Sequence, residues 1–146
     1  MKFTPEVLLV DDSPADIDLT TAALAGSKRH LHISSVNDGS EAILFLRREG
    51  KYGAAPAPDL VVLDLNLPRK TGLEVLSDVK HDPLLARIPV VIFSTSQASS
   101  DIGGSYALGA NCYLSKPGTL PDFMAAVQSM ADFWFGYASL PDKEKR

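Results

Sequence analysis

Short apolar runs recur along the 146 residues at intervals that admit helices between them. They are "EVLLV" (6–10), "LHISSV" (31–36), "DLVVLDL" (59–65), "IPVVIFS" (88–94) and "ANCYLS" (110–115). The first four hold several Val, Ile or Leu residues, and all five are short enough for a strand. Helical signals separate them. Residues 13–26 open with Ser13 as N-cap and Pro14 at the first position, and Gly26 is a stop. Residues 39–50 form a second helix closed by Gly50, and residues 72–82 a third ended by Pro83. Residues 97–109 form a weaker fourth, because Gly103 and Gly104 cost about 1 kcal/mol each relative to Ala. Residues 119–137 form the fifth. "KYGAAPAP" (51–58) and "LPRKTG" (67–72) are loops, where Pro and Gly break both patterns.

Strands alternating with helices imply a parallel sheet covered on both faces. The first and third runs are accordingly continuous in apolar residues rather than alternating. Five such units imply an α/β, flavodoxin-like (βα)5 doubly wound fold with strand order 2-1-3-4-5. In that architecture ligands bind beyond the carboxyl ends of the strands, and the switch point lies between strands 1 and 3.

Bulk properties exclude several classes. A formal net charge of −4 does not supply the basic footprint that nucleic acid or an anionic membrane surface requires. One cysteine, Cys112, rules out an internal disulfide and suits a reducing cytoplasm. The N-terminal apolar run is too short for a signal peptide, and no segment approaches the ~20 apolar residues of a membrane span. A cytoplasmic protein is expected.

Charged residues collect where the fold places its ligands. Asp11 and Asp12 follow strand 1, and Asp64 ends strand 3. Ser94, Thr95 and Ser96 follow strand 4, and Lys116 follows strand 5. Three carboxylates outnumber one ammonium, so a divalent cation is the natural balance. Mg2+ takes oxygen ligands, accepts one or two carboxylates and pairs with phosphates, and Mn2+ is an alternative. No His or Cys accompanies the acids, which disfavours zinc and copper. A carboxylate can act as a nucleophile toward phosphorus. The metal and Lys116 would then neutralise the transferring phosphoryl group.

"LLVDDS", "DLVVLDLNLPRKTGLEVL", "IPVVIFSTS" and "GANCYLSKP" together resemble the receiver domain of bacterial two-component response regulators. The likeness spans about Val7 to Phe135. It implies that Asp64 is the phospho-acceptor and Asp12 the direct metal ligand. It implies that Asp11 orients metal-bound water and that Asn66 offers its backbone carbonyl to Mg2+. Ser94, five residues after Pro89, matches the switch hydroxyl, and Tyr113 the switch aromatic. Lys116 matches the lysine that contacts the phosphoryl group. A cis peptide between Lys116 and Pro117 is also implied. The chain resembles stand-alone regulators of the chemotaxis-protein-Y type, and within them those paired with phytochrome histidine kinases. The resemblance implies a phosphoryl group received from a histidine kinase and a signal passed through the face of the fourth helix, fifth strand and fifth helix. Such a domain assists its own phosphorylation but is not a turnover enzyme.

Three rivals deserve comparison. An aspartate-nucleophile phosphatase would need a second acid two residues after Asp64, where Asn66 stands. A flavodoxin-like FMN protein needs a phosphate cradle in its first loop, and "DDSPAD" repels phosphate. A receiver-like docking module that is never phosphorylated would not need the intact acid set. His30, His32 and His81 are scattered and expected to face solvent, and Cys112 is expected to be half-buried or core-facing. Phe123, Val127, Met130 and Trp134 share one helical stripe, but Phe133, Trp134 and Phe135 are consecutive and cannot all face the sheet. The organisation expected is a receiver unit over 1–137 and a tail over 138–146. The last helix and tail, with strand 5 and helix 4, would form a homodimer interface.

Overall fold

The computed structural model describes residues 4–142. Five strands alternate with five α-helices. The strands are β1 (Glu6–Val10), β2 (His32–Val36), β3 (Leu60–Leu63), β4 (Val90–Ser94) and β5 (Cys112–Ser115). The helices are α1 (Pro14–Ala25), α2 (Gly39–Arg47), α3 (Gly72–His81), α4 (Ser99–Ala107) and α5 (Leu120–Asp132). All strand pairs are parallel, in the order β2-β1-β3-β4-β5. This is the expected flavodoxin-like arrangement.

The period-2 geometry of a strand explains how the apolar runs are used. Leu8, Val10, Val61, Leu63, Val90 and Ile92 face one core with Ala42, Phe45, Val75, Leu76 and Val79 of α2 and α3. Val7, Leu9, Leu60, Val62, Val91 and Phe93 face the other, with Ala23, Leu24, Phe123, Val127 and Met130 of α1 and α5. A strand buried on both faces needs apolar residues at every position, which is why the runs do not alternate.

Some boundaries differ from the sequence reading. Helix α2 ends at Arg47 instead of running to Gly50. Arg48 takes the left-handed conformation, φ 55°, and the Glu49 N–H reaches back to Leu44 O at 2.9 Å. This αL closure satisfies the last carbonyls without a glycine. Gly50, φ 59°, opens a 3-10 turn, Gly50–Tyr52. Helix α5 stops as an α-helix at Asp132 and continues as a π-turn, Phe133–Tyr137. The implied cis Lys116–Pro117 bond is absent, since every described peptide is trans, the form favoured even before proline. No helix among the described residues is long and apolar enough to cross a membrane. Of the tail, residues 143–146 lie outside the described residues.

Candidate functional site

Register places the acids. Val10 pairs with Leu63, so Asp11 and Asp64 leave adjacent strands side by side. The Asp64 N–H donates to Val10 O at 2.9 Å, and the Asp11 N–H to Val36 O at 3.2 Å. At the next pair of strands Ser94 is opposite Ser115, and the Lys116 N–H donates to Ser94 O at 2.7 Å. Backbone ladders thus carry the acids, Ser94 and Lys116 to one end of the sheet.

The first turn of α1 aims the Asp11 carboxylate. Its Oδ1 accepts the Ser13 N–H at 2.9 Å, and Ser13 Oγ accepts the Asp16 N–H at 3.2 Å. This pair of local bonds turns the chain from strand into helix. Beneath Asp64, α3 begins so close that a Cβ on Gly72 would lie 2.3 Å from Asp64 O and 2.5 Å from Leu65 Cα. Only glycine admits that approach. The loop between them presents Asn66, which is exposed and donates its N–H to Asp64 Oδ1 at 3.4 Å.

Lys116 sits at the centre of the acids. Its Nζ donates to Asp11 Oδ2 at 2.7 Å, Asp16 Oδ2 at 2.8 Å and Asp64 Oδ2 at 2.9 Å. Its side chain is only 4% exposed. Burial pulls the ammonium down, but the three carboxylate hydrogen bonds outweigh burial and hold it above its ordinary value. Burial raises the Asp11 carboxyl, against the opposing pull of Lys116 and the Ser13 N–H. Asp16 is the acid that the sequence reading omitted. The signal was present, an acid in the first turn of the helix after Asp11. First-turn acids are common for the helix dipole alone, so that signal is ambiguous.

Asp11, Asp12 and Asp64 offer oxygens that lie within 4.8 Å of one another, with Asp12 exposed and the other two buried. An all-oxygen carboxylate set without His or Cys fits a hard cation such as Mg2+ or Mn2+. Three carboxylates surround one ammonium and Asp12 adds a fourth beside Asp11 and Asp64, so the site carries excess negative charge.

The expected switch residues are also placed. Ser94 is fully buried, and its Oγ accepts the Ser96 N–H at 3.4 Å. Thr95 is exposed. Tyr113 is half-buried against the α2–α3 core and donates its hydroxyl to Ser96 O at 2.8 Å. Ser96 is more than a neighbour of the switch. Its Oγ donates to Asp101 Oδ2 at 2.5 Å in the first turn of α4 and accepts the Ala98 N–H at 3.3 Å. Tyr106, from α4, accepts the Tyr113 N–H on its hydroxyl at 3.1 Å. The Tyr113–Ser96 link needs tertiary placement, and nothing in "STSQ" announces it.

The remaining candidates follow expectation. His30, His32 and His81 are exposed, and His32 pairs with Glu6 at the far end of the sheet. Cys112 is half-buried, and burial pushes its thiol up.

A five-stranded doubly wound sheet with an acid pocket and a buried lysine at its switch point defines a signalling receiver. The family model for the response regulator receiver domain matches residues 7–128, and the chain belongs to that family of two-component response regulators. The response regulator Rcp1 of Synechocystis sp. is 43% identical over 135 residues, 92% of either chain. The crystal structure of the phosphorylated cyanobacterial phytochrome response regulator RcpA superposes with a TM-score of 0.93 at 46% identity, over 96% of this chain and 100% of that one. The Mn2+-bound form of response regulator Rcp1 gives a TM-score of 0.91 at 42% identity, over 94% and 99%.

Proposed function

We propose that Asp64 accepts a phosphoryl group from the phosphohistidine of a histidine kinase. The observation that carries this reading is the convergence of Lys116 on Asp64 beside two further carboxylates. A carboxylate oxygen of Asp64 attacks phosphorus. The O–P bond forms as the P–N bond breaks, and the imidazole leaves with the electron pair and is reprotonated. Lys116 is positioned to donate to a phosphoryl oxygen. Asp12, Asp64, Asp11 and the Asn66 carbonyl would hold Mg2+, which supplies positive charge to the transferring group. Both Asp11 oxygens are already engaged, by Ser13 N–H and Lys116, while Asp12 is exposed. That supports Asp12 as the direct ligand and Asp11 as one acting mainly through water.

Ser94 then donates its hydroxyl to the phosphoryl group. The pull passes to Tyr113 and α4, altering the α4-β5-α5 face. The domain serves as a signalling element and not as a turnover enzyme. The likeness to Rcp1 and RcpA supports a phytochrome-type kinase as donor and a cytoplasmic setting. We assign residues 1–137 to the receiver unit and 138–146 to a tail. Phe133 and Tyr137 are 53% and 85% exposed, which supports homodimerisation through α5, its π-turn and the tail. A scattering mass that stays monomeric at high concentration, with or without phosphorylation, would exclude the dimer.

The central test is incubation with acetyl phosphate or beryllofluoride, with and without Mg2+. The wild type is expected to load only with Mg2+, and Asp64→Asn not at all. Equal behaviour of the two proteins would refute the assignment. Phosphotransfer from a phytochrome kinase, compared in red and far-red light, tests the donor.

A further inference from the structure

We infer that Asp16 is the standing counter-ion of Lys116, and that its charge tunes the pocket toward the divalent cation and against the phosphoryl group. The inference rests on Asp64 being the phospho-acceptor.

A lysine ammonium has three donors, and all three are used here, on Asp11, Asp16 and Asp64. With the side chain 4% exposed, water has little access to replace a lost partner. The three acids are not equivalent. Asp11 and Asp64 belong to the group whose oxygens converge with Asp12. Asp16 lies outside that group, so its carboxylate has no second cation to serve. The first turn of α1 holds it in place, through the Ser13 Oγ bond to its own N–H.

Phosphorylation converts Asp64 from a carboxylate into a neutral acyl group bearing a phosphoryl dianion. The Lys116 donor now on Asp64 moves to a phosphoryl oxygen. Asp16 keeps its own donor and remains a negative charge one ammonium away from the new dianion. In a partly buried site that repulsion is weakly screened. The same charge attracts a divalent cation into the neighbouring acids. Asp16 therefore works in opposite directions on the two ligands. A residue that only supported the fold would weaken both or neither.

Asp16→Asn keeps the acceptor and removes the charge. Calorimetric titration should show Mg2+ binding weakened by about threefold to tenfold. At saturating Mg2+, beryllofluoride should bind about tenfold more tightly than to wild type. Asp16→Glu keeps the charge and should stay near wild type in both titrations. Shifts in the same direction, no shift in either, or a glutamate variant that tracks the asparagine variant would overturn the inference. The wild type separates the two claims. If it binds beryllofluoride and Asp64→Asn does not, a failure at Asp16 is this inference's alone. If wild type binds none, the reading of Asp64 falls and takes the inference with it.

Discussion

Two helices leave the same edge of the sheet, and they are built differently. Helix α3 follows Asp64. It opens with a full capping box, Thr71 with Glu74, and buries Gly72, Val75, Leu76 and Val79. Helix α4 follows Ser94. Its N-cap is Ala98, with no side-chain cap bond, and it buries only Ser105. The other four α-helices all have a capping side chain. The strands behave alike: every residue of β3 is buried, and every residue of β5 is intermediate. The end that holds the acids is fixed by packing and backbone, while the helix beyond Ser94 is held by a few polar contacts. Local opening should therefore cost less at α4 than at α3.

The largest effect expected is at Lys116. Lys116→Met leaves Asp11, Asp16 and Asp64 without their shared cation and should destabilise the protein by about 3 kcal/mol in chelator. Mg2+ should restore part of the loss, read as melting temperature against Mg2+ concentration. A harmless substitution would show that charge does not hold the acid end together.

Gly72→Ala comes next. The added methyl meets the backbone of Asp64 and Leu65, and the cost should reach about 2–3 kcal/mol by chemical denaturation. Gly103→Ala and Gly104→Ala should do the opposite. Their added methyls meet nothing within 4 Å, so each should stabilise α4, by up to about 1 kcal/mol. The contrast between these glycines separates a packing requirement from a loosened helix. If the α4 variants also slow the response of Tyr113 to beryllofluoride, by fluorine-labelled tyrosine NMR, the loose helix is part of the switch.

Ser96→Ala removes both the Asp101 partner and the acceptor for Ala98 N–H. The start of α4 should fray, at a cost of about 1 kcal/mol, with faster amide exchange over 99–102 and none over α3. Exchange that rises equally in both helices would erase the contrast.

The smallest effect concerns two lysines in unlike surroundings. Lys80 donates to the backbone carbonyls of Ala86 and Ile88 and to Asn111 Oδ1, and burial lowers it from its ordinary 10.5. Lys116 has carboxylates and lies above 10.5. A folded value above the unfolded one means that the stability from Lys116 is complete below 10.5 and is lost as pH rises from there through its folded value. For Lys80 the sign reverses: its contribution is present above 10.5 and lost as pH falls through its lower folded value. Side-chain nitrogen NMR should find Lys80 losing its proton first. The reverse order would contradict the charge assignment.

Much of the fold was legible because it rests on local patterns. The central strands β1, β3 and β4 announced themselves as continuous apolar runs, since both their faces are covered. Ser13, Pro14 and Gly26 marked α1 through local capping chemistry. The stop of α2 was misread because an arginine took a left-handed closure that glycine usually supplies. At the site, Asp11, Asp12, Asp64 and Lys116 were found through strand ends, which sequence order and topology together locate. Ser96 was noted only as following strand 4, and Asp16 was not found because its partner is far along the chain. Lys116 lies 100 residues from Asp16.

Sequence alone determined the order of the elements, the acids at the strand ends and the family resemblance, because these depend on residue type and short-range spacing. Tertiary structure decided which carboxylates share one ammonium, how Tyr113 and α4 meet through Ser96, and which surface of the last turn stays bare. Those outcomes depend on distances between segments that the chain brings together only on folding, where a hydrogen bond forms at about 3 Å or not at all.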